Sequence, residues 1–155
     1  MNIISLDPGT YHCGYAVFVD GKLIFAGEWE IKERIDTRLT HILNSFGALL
    51  IQYKPCEIAC ERAFSTPKKK VPELETLIRG ARGMARRYKQ RFFLYSPRAI
   101  FGRWNGKREV ARLAEQQQQI LRFARNDSFS EHAIDAVLVG QYHLRKMEVI
   151  KGEGD

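Results

Sequence analysis

Apolar residues fall in two rhythms along this chain, and the changes of rhythm mark its elements. Ile3-Ile4-Ser5-Leu6 is a short apolar run suited to a buried strand, and it ends on Asp7. Strand patterns follow over residues 14–20 and 22–30, and Asp20-Gly21 between them is a two-residue hairpin signal of type I′. The rhythm then changes to threes and fours: Ile35, Leu39, Ile42, Leu43, Phe46, Leu49, Leu50 and Tyr53 predict an amphipathic helix over 34–53. Pro55 stands just past its end, as a helix stop should. Cys56-Glu57-Ile58-Ala59-Cys60 is another short apolar strand, and it too ends on a carboxylate, Glu61.

Residues 62–72 read as a loop. A helix is expected from about Glu73 to Gln90, with acids in its first turn and bases in its last, as the helix dipole favours. Its small residues Gly80, Ala81, Gly83 and Ala85 allow close packing on the sheet or on a partner subunit. Residues 91–95 form a further strand, and Ser96-Pro97 breaks it ahead of a basic, aromatic loop over 98–106. A helix over about 107–123, a turn at Asn126-Asp127-Ser128 and a last helix over about 130–147 complete the chain, with 148–155 as a tail. This order predicts an α/β fold: a five-stranded mixed sheet, three antiparallel strands then two parallel ones, flanked by helices. It is one domain, residues 1–147, followed by the short tail.

With 45% hydrophobic and 28% charged residues, the chain has the balance of a soluble globular protein. No apolar run reaches the length of a membrane span and no secretory leader pattern opens the chain, so a cytoplasmic protein is expected. Cys13, Cys56 and Cys60 lack zinc-type spacing, and the last two sit too far apart on one strand to bridge. They read as buried free thiols in a reducing compartment.

The net charge is +7, and its distribution says more than its size. Between Arg62 and Arg112 stand 15 Lys/Arg against 3 Asp/Glu; the remainder holds 10 against 15. A basic middle set in an acidic frame points to a polyanionic partner, most often nucleic acid.

Against that background four side chains stand out. Asp7 and Glu61 each close a buried strand, where a carboxylate is costly without compensation. His132 and Asp135 lie three apart on the last helix, on one face. Asp135 sits inside the apolar stretch Ala133 to Val139, an unusual place for a solvated acid. Each has a plainer role available: Asp7 capping its own turn, Glu61 paired with Arg62, His132 half-buried on its helix. Together, at the carboxyl ends of neighbouring strands, they form an oxygen-rich ligand set suited to Mg²⁺ or Mn²⁺ and unsuited to structural zinc. Two such ions, about 3.5–4 Å apart, are the standard device for phosphodiester hydrolysis.

The chain resembles the RuvC family of Holliday junction resolvases, within the RNase H-like fold. Ile4 to Thr10 with Gly14-Tyr15-Ala16-Val17 is similar to the family's opening strand, turn and second strand. Glu61-Arg62-Ala63-Phe64 resembles its second acidic motif, Gly80-Ala81-Arg82-Gly83 the helix that follows, and His132-Ala133-Ile134-Asp135-Ala136 its C-terminal motif. The resemblance spans residues 2 to 145.

The resemblance implies a homodimer that makes paired, symmetric nicks in a four-way DNA junction, using two Mg²⁺ or Mn²⁺ ions per site. It implies that Asp7, Glu61, His132 and Asp135 are metal ligands and catalytic, and that Lys107 joins them beside the scissile phosphate. Phe64 would stack on an unpaired base, and Lys68, Lys69 and Lys70 would meet backbone phosphates. Arg98, Arg103 and Arg108, in the same basic stretch, are further candidate DNA contacts. Glu131 competes with His132 as the ligand on that helix. The alternatives are a RuvC-like nuclease acting on flaps or forks, and a junction-binding protein that does not cut. An actin-like or sugar-kinase nucleotide domain also uses an Asp-x-Gly-Thr loop, but this chain is far too short for its two lobes.

Overall fold

The computed structural model describes residues 1–9, 11–30, 32, 34–55, 57–62, 72–101 and 131–152. Its elements are β1 (Asn2–Asp7), β2 (His12–Val19), β3 (Lys22–Glu30), α1 (Ile35–Tyr53), β4 (Glu57–Glu61), α2 (Pro72–Arg87), β5 (Arg91–Tyr95), α3 (Pro97–Phe101) and α4 (Glu131–Gly152). The strands form one sheet in the order β3-β2-β1-β4-β5. β1 runs antiparallel to β2 and parallel to β4, β2 pairs antiparallel with β3, and β4 is parallel to β5. This is the mixed sheet that the element order predicts. Asp20 and Gly21 both take positive φ, 49° and 77°, as a type I′ hairpin turn requires.

Side chains alternate across the sheet, and each face has its own cover. Ile4, Leu6, Val17, Ile58 and Cys60 face Phe46 and Leu50 of α1 and Ile78, Ala81 and Ala85 of α2. Ile3, Ala16 and Phe18 face Ala136 and Val137 of α4. Ala59 and Tyr95 continue that second layer against Val139. Phe46 and Phe18, each 1% exposed, anchor the two layers, and burying each contributes about 2–3 kcal/mol.

The small residues of α2 serve two contacts. Ala81 and Ala85 meet the sheet-side core, while a Cβ on Gly80 would lie 2.8 Å from Leu43 of α1. Close approach of α1 and α2 thus accounts for the glycine. α1 stops at Lys54, in a left-handed conformation (φ 44°), whose N–H donates to Leu50 O at 3.0 Å.

Four element boundaries differ from expectation. α2 ends at Arg87, three residues short of Gln90. β2 begins at His12, two residues before the predicted start. The loop expected over 98–106 opens as helix α3, because Ser96 caps it: Ala99 N–H donates to Ser96 Oγ at 3.1 Å, and Pro97 fills the first helical position. α4 runs to Gly152, so residues 148–152 continue the helix rather than forming a tail; nothing between Met147 and Lys151 breaks it. The predicted helix over 107–123, the 126–128 turn and all but the ends of the 62–72 loop lie outside the described residues. Cys56 lies there too, while Cys13 and Cys60 are buried free thiols. No helix among the described residues is long and apolar enough to cross a membrane.

Candidate active site

β1 and β4 deliver their last residues to the same edge and the same face of the sheet. Ser5 and Ala59 are register partners, as are Leu6 and Cys60. Two-residue alternation then puts Ile3, Ser5 and Asp7 on the α4 side of β1, and Glu57, Ala59 and Glu61 on the α4 side of β4. α4 lies across that face, held by the Ser5 hydroxyl, which donates to Ala136 O at 2.6 Å. Its first two turns bring His132 and Asp135 to the strand ends.

The approach of α4 depends on Gly14, the register partner of Asp7. A Cβ there would stand 1.9 Å from His132 O and 3.1 Å from Ala133 N, both backbone atoms that cannot swing aside. Gly14→Ala therefore lifts the start of α4 off β2. The expected cost is about 2–3 kcal/mol in urea unfolding, with loss of the His132–Asp7 contact. Native-like stability would show that α4 does not need this close approach.

Asp7 is buried, and His132 Nδ1–H donates to its Oδ2 at 3.0 Å. Glu61 is pushed up to about 8, first by burial, then by the charge of Asp7 and a hydrogen bond to it, and further by Asp135. His132 pulls the other way. A protonated Glu61 carboxyl donates to Asp7, and Asp135 lies within electrostatic reach of Glu61. The positive end of the α4 dipole also falls here and offsets part of the crowded negative charge.

His12 and Glu28 belong to the same neighbourhood, and the sequence reading missed them. The His12 and His132 rings are parallel within 5°, with centroids 5.4 Å apart. His12 Nδ1 lies 2.6 Å from Glu28 Oε1, a close approach off the hydrogen-bond direction. The signal was present: starting β2 at residue 12 puts His12 in step with Gly14 and Ala16, on the α4 side.

Three carboxylates and an imidazole are by chemistry a donor set for Mg²⁺ or Mn²⁺. Among the described residues, no three acidic, His or Cys side chains already close on a common point as ligands. Asp7 is engaged by His132 and Glu61 instead, so binding an ion requires those hydrogen bonds to be exchanged. The residues fit the group by type and place, and their side chains must turn to take it.

Of the other expected site residues, Arg98 stands exposed on α3, just beyond the strand whose Tyr95 pairs with Glu61. Phe64, Lys68, Lys69, Lys70, Arg103, Lys107 and Arg108 lie outside the described residues, as does the side chain of Glu131.

No family model and no curated protein matches this chain. Solved structures do. RuvC of Thermus thermophilus matches with a TM-score of 0.77 at 18% identity over 96% of both chains. The same protein in complex with a Holliday junction substrate gives 0.78 at the same identity and coverage. The yeast mitochondrial Holliday junction resolvase Ydc2 gives 0.61 at 14% identity, over 97% of this chain and 80% of its own. Likeness at such identities carries the architecture, and the chain therefore has the RNase H-like fold in the form seen in RuvC.

Proposed function

We propose that this protein is a metal-dependent, structure-selective endodeoxyribonuclease that resolves four-way DNA junctions as a homodimer. The observation that carries the reading is the gathering of Asp7, Glu61, His132 and Asp135 at one strand edge. It gains weight because the fold matches a protein solved with a junction bound. A junction with two-fold symmetry calls for two identical sites related by a two-fold axis, which a homodimer supplies.

Asp7, Glu61 and Asp135, with His132 or Glu131, would hold the Mg²⁺ or Mn²⁺. When bound, the ions supply an activated water and stabilise the leaving 3′-oxygen. The chain's own groups do the rest. Before an ion binds, Asp7 is the shared acceptor at the centre, and the imidazole of His132 holds it in place through Nδ1. Glu61, held at about 8 by burial and Asp7, would give up its proton to serve as a ligand. Arg98, and Lys107 by resemblance, would stand near the scissile phosphate and offset charge that develops there. Phe64 and Lys68 to Lys70 would engage the branch point and its backbone.

The test is cutting of a synthetic four-way junction with and without Mg²⁺ or Mn²⁺. Paired nicks are expected only with the ion, and flaps and forks of matched sequence should be cut more slowly. Asp7→Asn should bind the junction with near-native affinity and leave it whole. Cutting by Asp7→Asn at the native rate, or cutting in excess chelator, would refute the assignment.

A further inference from the structure

Away from the carboxylate edge, the described residues gather positive charge in one other concavity. α2 carries Arg82 and Arg86 four residues apart, so they share a face, and both are exposed. α2 then closes tightly: Lys89 N–H donates to Arg86 O at 3.0 Å and Gln90 N–H to Ala85 O at 2.9 Å. Lys89 takes φ 59°, a conformation that favours glycine, so a charged side chain occupies a position where none is cheap. Arg82, Arg86, Lys89 and Gln90 surround Phe92, with the Arg82 guanidinium over the ring at 5.6 Å from its centroid.

Among the described residues, no acidic side chain lines this concavity and none of its three cations is in an ion pair. Phe92 points to the α2 side of the sheet, at the start of β5. Glu61 sits on the other side, level with the end of β5. The two places are separated by three residues along the strand, about 10 Å, and by the sheet itself.

We propose that this concavity is a second phosphate-binding site, which holds the sugar–phosphate backbone of a DNA arm at a distance from the cutting point. It rests on the nuclease reading above for the identity of the polyanion. Two arginines one helical turn apart, with Lys89 just past the helix end, present successive cations to a polymer of repeated charge. A guanidinium set against an aromatic ring presents its N–H edge to phosphate oxygens. Contacts made only to backbone phosphates carry no sequence information, so binding there should be independent of sequence.

The experiment measures junction affinity against salt for the native protein, for Arg86→Gln/Lys89→Gln and for Arg86→Lys/Lys89→Arg. Each phosphate contact contributes about 0.9 to the slope of log K on log salt, so the Gln pair should flatten it by about 2. The charge-keeping pair should retain the native slope. Both residues are exposed, so melting temperatures should be unchanged, and cutting at saturating DNA should match the native rate. An unaltered slope in the Gln pair overturns the site and leaves the concavity to an acidic protein. A native protein that binds and cuts junctions while the Gln pair keeps its slope refutes this site alone. A native protein that neither binds nor cuts junctions removes the nuclease reading and this site with it.

Discussion

Glu61→Gln is expected to abolish junction cutting while making the ion-free protein harder to unfold at alkaline pH. The loss in rate should be about a thousandfold or more, roughly 4 kcal/mol of transition-state stabilisation, if Glu61 is the metal ligand proposed above and its negative charge is replaced by a neutral amide. The gain in stability follows from the proton on Glu61. Its folded-state value of about 8 lies far above the ordinary 4.5. Between those values the folded chain holds a proton that the unfolded chain releases, so native stability falls as pH rises through that window. Below it the carboxyl is neutral in both states and contributes nothing. Above it the folded protein bears the full repulsion of Glu61 with Asp7 and Asp135. Glutamine cannot ionise, so the variant escapes that loss. Melting in chelator at pH 4.5, 6.5 and 8.5 should give curves that coincide at the lowest pH and separate progressively above it. Added Mg²⁺ should raise the native protein at pH 8.5 and leave the variant nearly unmoved. Identical melting at all three pH values would show that the cluster stores no repulsion. A group that costs stability and earns its place by chemistry is what a functional site predicts.

The second large effect lies at the other end of the same face. His143 and Glu57 are fully buried, with Nε2 of the imidazole 2.6 Å from Glu57 Oε2 and Nδ1 2.7 Å from the Tyr95 hydroxyl. A carboxylate can only accept, so Nε2 carries the hydrogen and Nδ1 accepts from Tyr95. Burial holds His143 below its ordinary value against the pull of Glu57, so the ring is neutral. Arg91, largely exposed, pairs with the other oxygen of Glu57. His143→Leu strips one partner from a buried carboxylate and one from a buried hydroxyl. The expected cost is about 3–4 kcal/mol, read as a lower urea midpoint at unchanged slope. The all-apolar set Glu57→Leu/Tyr95→Phe/His143→Leu should recover most of it, since buried polar groups are expensive chiefly when half-satisfied. If the triple variant is no better than the single, shape rather than polarity governs this site.

Much of this architecture was legible in the sequence because it rests on local rules. The apolar runs that close on Asp7 and Glu61, the helical spacing from Ile35 to Tyr53 and the Asp20-Gly21 turn each need only neighbours a few residues away. What could not be read depends on partners far along the chain. Glu57 looks like a solvated strand residue until α4 brings His143 over it, 86 positions later. His12 escaped because the start of β2 was set two residues late, which hid its place in the alternation. Ser96-Pro97 reads equally as a strand breaker and as a helix start, and only the buried side chain of Ile100 decides. Helix α4 was legible in kind but not in length, since nothing in Glu148 to Lys151 punctuates it.

The alternation of β1 and β4 also bears on how far such a chain can drift. On the side toward α1 and α2, any residue of suitable bulk fills the space. On the other side the constraints are narrower: a glycine under the first turn of the last helix, and, on the proposed reading, two acids at strand tips. Most other positions can change without moving the backbone, which fits a shared architecture at 18% identity. Distant kin of this protein are better sought by those few fixed points and their spacing in space than by overall likeness of text.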